Sequence, residues 1–383
     1  MRRVALAVIV PIAVVTLAAL LWLWPSGDGL PEQQRTGADQ VTGEIIAVLA
    51  EECPEELPDE VNGCGTARVL LTDGPDEGQE VETALPNGTG APEVAEGDQV
   101  VLIESSNPEG TVYSIVDHQR TTQLWVLVAA FVLALVAFGR WKGVTALAGL
   151  AVTFALLVFF VVPAILAGEP PLLVAIVGSA AIMLTVLYLT HGFTLSTTVA
   201  VLGTLVSLAL TGVLSAVAVS ALHLTGVTDD LSASVGMSQG VNTQGLLLAG
   251  IVIGSLGVLD DVTVTQSATV TELARANPAY GFGRLYRAGS RVGRSHIASV
   301  VNTIILAYAG SSLPLLILIV ANNESLGGVV TDQVIAQEIV RSVVATLGLV
   351  AAVPLTTGLA AFTFRKVGEP APSSQAAPLV RGG

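Results

Sequence analysis

Charge is what this chain has least of. Only 12% of its 383 residues are Asp, Glu, Lys or Arg, about half the share of an ordinary soluble domain. Such a chain is not a soluble globular protein. Cysteine is almost absent, with Cys53 and Cys64 alone. There is no CxxC pair, no HExxH, and no glycine-rich loop followed by a phosphate-binding Lys. Those absences speak against zinc centres, metalloproteases and P-loop nucleotide hydrolases. No cofactor or metal is expected, and no catalytic constellation marks an enzyme. Lys and Arg are few as well, 16 against 31 acids for a net charge of −15. Nucleic-acid binding is not indicated by that balance.

What the chain does have is apolar residues, at 52% and a mean hydropathy of +0.73. They come in blocks, and about 20 apolar residues cross a bilayer as a helix. Eight blocks are read as spans: Val4–Trp24, Leu124–Phe138, Val144–Leu166, Leu172–Leu189, Thr197–Leu222, Gly245–Val264, Ile297–Val320 and Ile339–Phe364. The expected fold class is therefore membrane all-α, with eight transmembrane helices and a small extracytoplasmic β domain between the first two. Positive residues stay cytoplasmic. With the N-terminus inside, most Lys and Arg fall on one face and only Arg35, Arg68, Arg120 and Arg341 on the other. Both termini are accordingly expected in the cytoplasm, with residues 25–120 outside.

The expected division is a transmembrane anchor at 1–24, the β domain at 25–120, a seven-helix membrane domain at 121–365, and a disordered cytoplasmic tail at 366–383. The first block exceeds the usual apolar core of a signal peptide and lacks a clear cleavage site, so it reads as an uncleaved helix. In the external region five Val-, Ile- and Thr-rich runs are separated by turn residues: Val41–Leu49, Ala67–Thr72, Glu80–Leu85, Gln99–Glu104 and Thr111–Val116. Five short strands in under 100 residues suggest a small OB-like barrel. Outside the cytoplasm two isolated cysteines at short spacing usually pair, so Cys53 and Cys64 are expected to form a disulfide. The acids of Glu51–Glu60 match no calcium-loop spacing and read as a solvated loop.

Chemistry concentrates in Leu246–Thr271, where Asp260 and Asp261 stand near the end of an otherwise uncharged run. A carboxylate inside a bilayer costs about 2.5–3.5 kcal/mol on insertion scales unless paired, wetted or protonated. Either the pair lies at the inner boundary in water, or it marks an ion or proton site. Gly250, Gly254 and Gly257 share one helical face, a spacing that lets helices approach closely. Asp261 lies on a stripe with Thr265 and Glu272, and Asp260 on one with Thr263 and Ser267. Asn277 and Pro278 read as the start of a short amphipathic surface helix, with Arg284, Arg287, Arg291 and Arg294 on one face. The span after it carries Asn302, Thr303 and Tyr308, which points to a buried or cavity-lining helix.

With these motifs in place the sequence resembles a family. IVIGSLGVLDDVTVTQSATVTELARANP, followed by RAGSRVGRSHIASVVNTIILAYAGSSLPLL, is similar to the YibE/F family of bacterial membrane proteins; GRWKG at 139–143 and THGF at 190–193 agree. The resemblance spans about residues 40–365. It implies a multi-pass protein of the bacterial cytoplasmic membrane and supplies no activity that transfers residue by residue. A glycine-rich helix with two acids, a basic loop and a polar span is also distantly similar to the resistance-nodulation-division transporters and the SecD/SecF translocase subunits. That likeness implies proton coupling, though here no Lys lies in the neighbouring spans and Arg341 is the nearest cation in type.

The functional expectation is a proton- or ion-coupled transporter or translocase accessory. Asp260 or Asp261 would titrate, with Thr265, Asn302 and Thr303 as polar neighbours, and Asp261 is preferred for its longer polar stripe. The alternative is a non-transporting envelope scaffold or sensor that binds a partner through the β domain. Expected partners are the lipid bilayer and a second copy or another membrane protein.

Overall fold

The computed structural model describes residues 2–25, 40–51, 53, 61–107, 110–227, 230–321, 328 and 332–365. The acidic loop, apart from Glu51 and Cys53, and the C-terminal tail from 366 lie outside the described residues. The chain divides into two compact units, one of residues 32–140 and one of residues 1–31 with 141–383.

Among its described residues the first unit holds five strands: β1 (Gln40–Glu51), β2 (Cys64–Leu71), β3 (Glu80–Ala84), β4 (Gln99–Asn107) and β5 (Gly110–His118). All pairings are antiparallel and the sheet order is β3-β2-β1-β4-β5. Alternation builds it: Val41 and Ile45 point inward along β1, with Val69 and Leu71 on β2 and Val100 and Leu102 on β4. Cys53 and Cys64 are joined as a disulfide. The expected barrel is corrected to an open sheet. No ladder joins the edge strands β3 and β5, where the Thr83 hydroxyl donates to the Tyr113 carbonyl at 2.7 Å. The Tyr113 hydroxyl donates to Asp76 Oδ2 at 2.8 Å. Burial and that bond push the Tyr113 phenol up to about 12. Helix α2 (Thr121–Gly139) follows the sheet and buries none of its residues.

The second unit is helical. It comprises α1 (Arg2–Trp22), α3 (Trp141–Leu166), α4 (Pro171–His191), α5 (Leu195–Ala221), α6 (Asp230–Gln239), α7 (Thr243–Ala276), α8 (Phe282–Ser311), α9 (Leu313–Ala321) and α10 (Gln333–Phe364). A π-helical stretch, Leu157–Val161, interrupts α3. Side chains cap three of the long helices at their N-termini. Thr194 accepts from the Thr197 amide at α5, Asn242 from Gly245 at α7, and Asp332 from Val334 and Ile335 at α10.

Among the described residues six helices are long and apolar enough to cross a membrane: α2, α3, α4, α5, α7 and α10. The expected eight spans are thus corrected to six. In α1 the described apolar run, Leu6–Trp22, is short. The block at 297–320 is not one helix, because α8 ends at Ser311 and α9 begins again at Leu313 with Pro314 in its first turn. A proline has no amide to donate and is best accommodated in the first turn of a helix. The separate surface helix is also corrected. Asn277 caps the C-terminus of α7, Gly281 precedes α8, and the arginines occupy the first half of a continuous 30-residue helix.

The packing centre of this unit is the mutual contact of α5, α7 and α10. Its interior is apolar but threaded with hydroxyls: Thr204, Ser207, Thr211 and Ser215 of α5 are buried, as are Thr263, Ser267 and Thr271 of α7 and Thr356 and Thr357 of α10. Several return their protons to the carbonyl four residues back, as Ser207 does to Gly203, Thr211 to Ser207 and Ser215 to Thr211. A hydroxyl satisfied within its own helix can be buried without an orphaned donor. Glycine makes the crossings close. A methyl at Gly203 would collide with Thr356, and one at Gly348 with Thr211.

Candidate functional site

Helix α7 presents two distinct faces. Inward lie Leu256, Leu259, Val262, Thr263, Gln266 and Ser267, all buried. Outward lie Gly250, Gly254, Gly257, Asp261, Thr265 and Glu272, all exposed. Asp260 sits on the margin, half-buried, because adjacent residues on a helix point about 100° apart. Its Oδ1 atom is buried and has no hydrogen-bond partner among the described residues. One turn on, Thr263 donates to the Asp260 carbonyl at 3.2 Å and pairs with the Thr204 hydroxyl of α5. Asp260 thus carries one buried carboxylate oxygen at the edge of the bundle, whereas Asp261 and its stripe are exposed. The sequence preference for Asp261 pointed to the outer face.

The glycines of α7 lie on that same outer face. A methyl at Gly250 or Gly257 meets nothing within 4 Å, and one at Gly254 approaches only the Tyr308 hydroxyl at 3.6 Å. Close packing is instead supplied by Gly203 and Gly348, and by Gly289 and Gly293 of α8 against α7 and α10. The four arginines are exposed, while Leu285, Gly289 and Gly293 hold the opposite side of α8 in the bundle.

Asn302 and Thr303 are exposed on α8, and Thr303 donates to the Ser299 carbonyl. No hydrogen bond joins either residue to an aspartate among the described residues. Arg341 pairs with Glu338 on its own helix at 3.2 Å. Gln266 was not singled out from the sequence. Its side-chain amide, two turns beyond Asp260, donates to the Gly289 carbonyl at 2.9 Å and to Thr357 Oγ1 at 2.7 Å, tying α7, α8 and α10 together. A cavity of about 200 Å³ lies between the same three helices, lined by Ser255, Leu259, Ile304, Tyr308 and Leu349 among others. The described residues contain no cluster of three His, Cys, Asp or Glu able to hold a metal ion.

Several membrane-length helices around a hydroxyl-lined interior, with an unpaired carboxyl oxygen at its margin, define a multi-helix membrane protein. Residues 127–366 match the family model described as YibE/F-like protein, and the chain belongs to that family. No curated protein and no solved structure matches the chain.

Proposed function

We propose that this YibE/F-like protein is a proton-coupled transporter of the bacterial cytoplasmic membrane, with Asp260 as the group that gains and loses the proton. The observation behind this reading is the buried, partnerless Oδ1 of Asp260 within a membrane-length helix. A fixed buried charge in such a place calls for a counter-ion or a full set of hydrogen bonds. A carboxyl that alternates between charged and neutral forms calls for neither in its neutral state. The nearest hydroxyls along the helix are one turn on, where Thr263 bonds the Asp260 main-chain carbonyl and pairs with Thr204, and each of these hydroxyls can both donate and accept. No enzymatic step belongs to this reading.

The test is proton flux in reconstituted vesicles. Asp260→Asn keeps the shape of the side chain, cannot carry a proton, and is expected to abolish flux. Asp261→Asn is expected to leave flux near wild type. Undiminished flux in Asp260→Asn would favour the scaffold or sensor reading, in which the external sheet carries the function. The same proposal places the arginine-bearing half of α8 in the cytoplasm, by the positive-inside rule. The described cysteines are both in the disulfide, so Asn277→Cys introduces a clean target. Labelling of that thiol by an impermeant reagent from outside would contradict the orientation.

A further inference from the structure

A second and larger cavity lies between α8, α9 and α10, with a volume of about 440 Å³. That size falls within the roughly 300–1,000 Å³ of small-molecule sites, which are mostly apolar with a few placed polar groups. Ile305, Leu316, Ile339 and Val343 supply apolar wall, and Tyr308 and Glu338 stand among them. Among the described residues Glu338 is the single charged one in the lining. Its partner Arg341 lies three residues on along α10, outside the lining, and engages one carboxylate oxygen, Oε1, at 3.2 Å.

We infer that this cleft is a binding site for a lipophilic monocation, with Glu338 as its counter-ion and the Tyr308 ring beside it. Three contrasts lead there. An anion entering the cleft meets the Glu338 charge at short range in a surrounding of low polarity, where repulsion is strong. A neutral apolar molecule strips water from Glu338 and returns nothing for it. A cation whose charge is spread over an apolar body satisfies both the carboxylate and the walls, and an aromatic face attracts cations further. A strongly hydrated ion such as Na⁺ gains nothing from the apolar walls.

Tyr308 also lines the smaller cavity, whose wall includes Leu259, the residue before Asp260. One side chain thus borders both the cleft and the cavity next to the proposed coupling carboxyl. The inference rests on the transport reading for the cation's movement, and stands apart from it for the cation's binding.

The experiment is equilibrium binding of tetraphenylphosphonium to the full chain in phosphatidylcholine nanodiscs with no pH gradient. Tetraphenylborate serves as an anion of the same shape. Saturable binding of the cation is expected, at least tenfold tighter than that of the anion. Glu338→Gln should weaken cation binding about tenfold or more and narrow or reverse the preference. Ala309→Trp, which fills the cleft from its wall, should abolish binding of both. Should Glu338→Gln fail to fold with Arg341 unpaired, the double variant Glu338→Gln/Arg341→Met removes both charges and is expected to show the same loss of preference. Equal binding of the two probes by the wild type would overturn the inference. So would unchanged cation binding in the Glu338 variants or in Ala309→Trp, or no saturable binding above empty nanodiscs. Binding without proton flux would keep the cation site and remove the transport reading.

Discussion

The sheet and the helical bundle bury different things. In the sheet unit the interior is conventional: Val41, Ile45, Val69, Leu71, Val100 and Leu102 face one another, and the buried Thr83 is the exception. In the bundle the contacting surfaces of α5, α7 and α10 are rich in Ser, Thr and Gly, while Val206, Leu210, Val213 and Val217 of α5 and Val343, Leu347 and Val350 of α10 are exposed. The reason is the solvent. Water drives apolar side chains inward, but lipid tails are as apolar as Leu, so helices in a bilayer gain by close backbone approach and by hydrogen bonds instead. Both interiors are apolar, but in the bundle hydroxyls and glycines stand among the apolar side chains at the helix crossings.

That contrast is broken or sharpened first at the helix crossings, where the largest effect is expected. Gly348→Ala puts a methyl against Thr211, whose hydroxyl is already committed to the Ser207 carbonyl. Overpacking of a filled interior costs about 1–3 kcal/mol, read as a lower unfolding temperature in detergent. Gly257→Ala, at a glycine with open space around it, should be neutral or slightly stabilising, because alanine favours helix. Equal losses at the two glycines would erase the distinction between the inner and outer faces.

A smaller effect is expected in the sheet. The Tyr113 phenol is pushed from its usual 10.0 up to about 12, first by burial and then by its bond to Asp76. The folded state holds that proton more tightly than the unfolded one. Its contribution to stability is therefore complete below about pH 10 and is lost as pH rises from 10 to about 12. Tyr113→Phe should flatten this alkaline limb and cost about 1 kcal/mol near neutrality for the lost bond. An alkaline limb unchanged in the variant would assign it to another group.

The contrast also explains what could be read in advance. All five strand positions were legible because a half-buried strand alternates, and β1 to β5 overlap the runs at 41–49, 67–72, 80–85, 99–104 and 111–116. Closure was not, since it depends on whether the edges β3 and β5 share a ladder. The apolar blocks located the long helices, yet the facing of each residue stayed hidden, because an apolar stripe fits lipid and core equally well. Hence Gly250, Gly254 and Gly257 looked like packing residues and Asp261 like the inner acid, although both belong to the outer face of α7. A signal was present on α5: Gly203, Ser207, Thr211 and Ser215 recur every four residues, a period that lines one face of a helix with small and hydroxyl side chains. Following that stripe finds the interior that Asp260 borders.

Infrared spectroscopy of the protein in lipid, titrated over pH, reads carboxyl protonation at Asp260 most directly. A pH-dependent protonated-carboxyl band is predicted in the wild type, lost in Asp260→Asn and retained in Asp261→Asn. Persistence of that band in Asp260→Asn, or its loss in Asp261→Asn alone, would contradict the assignment of the proton to the inward-facing acid.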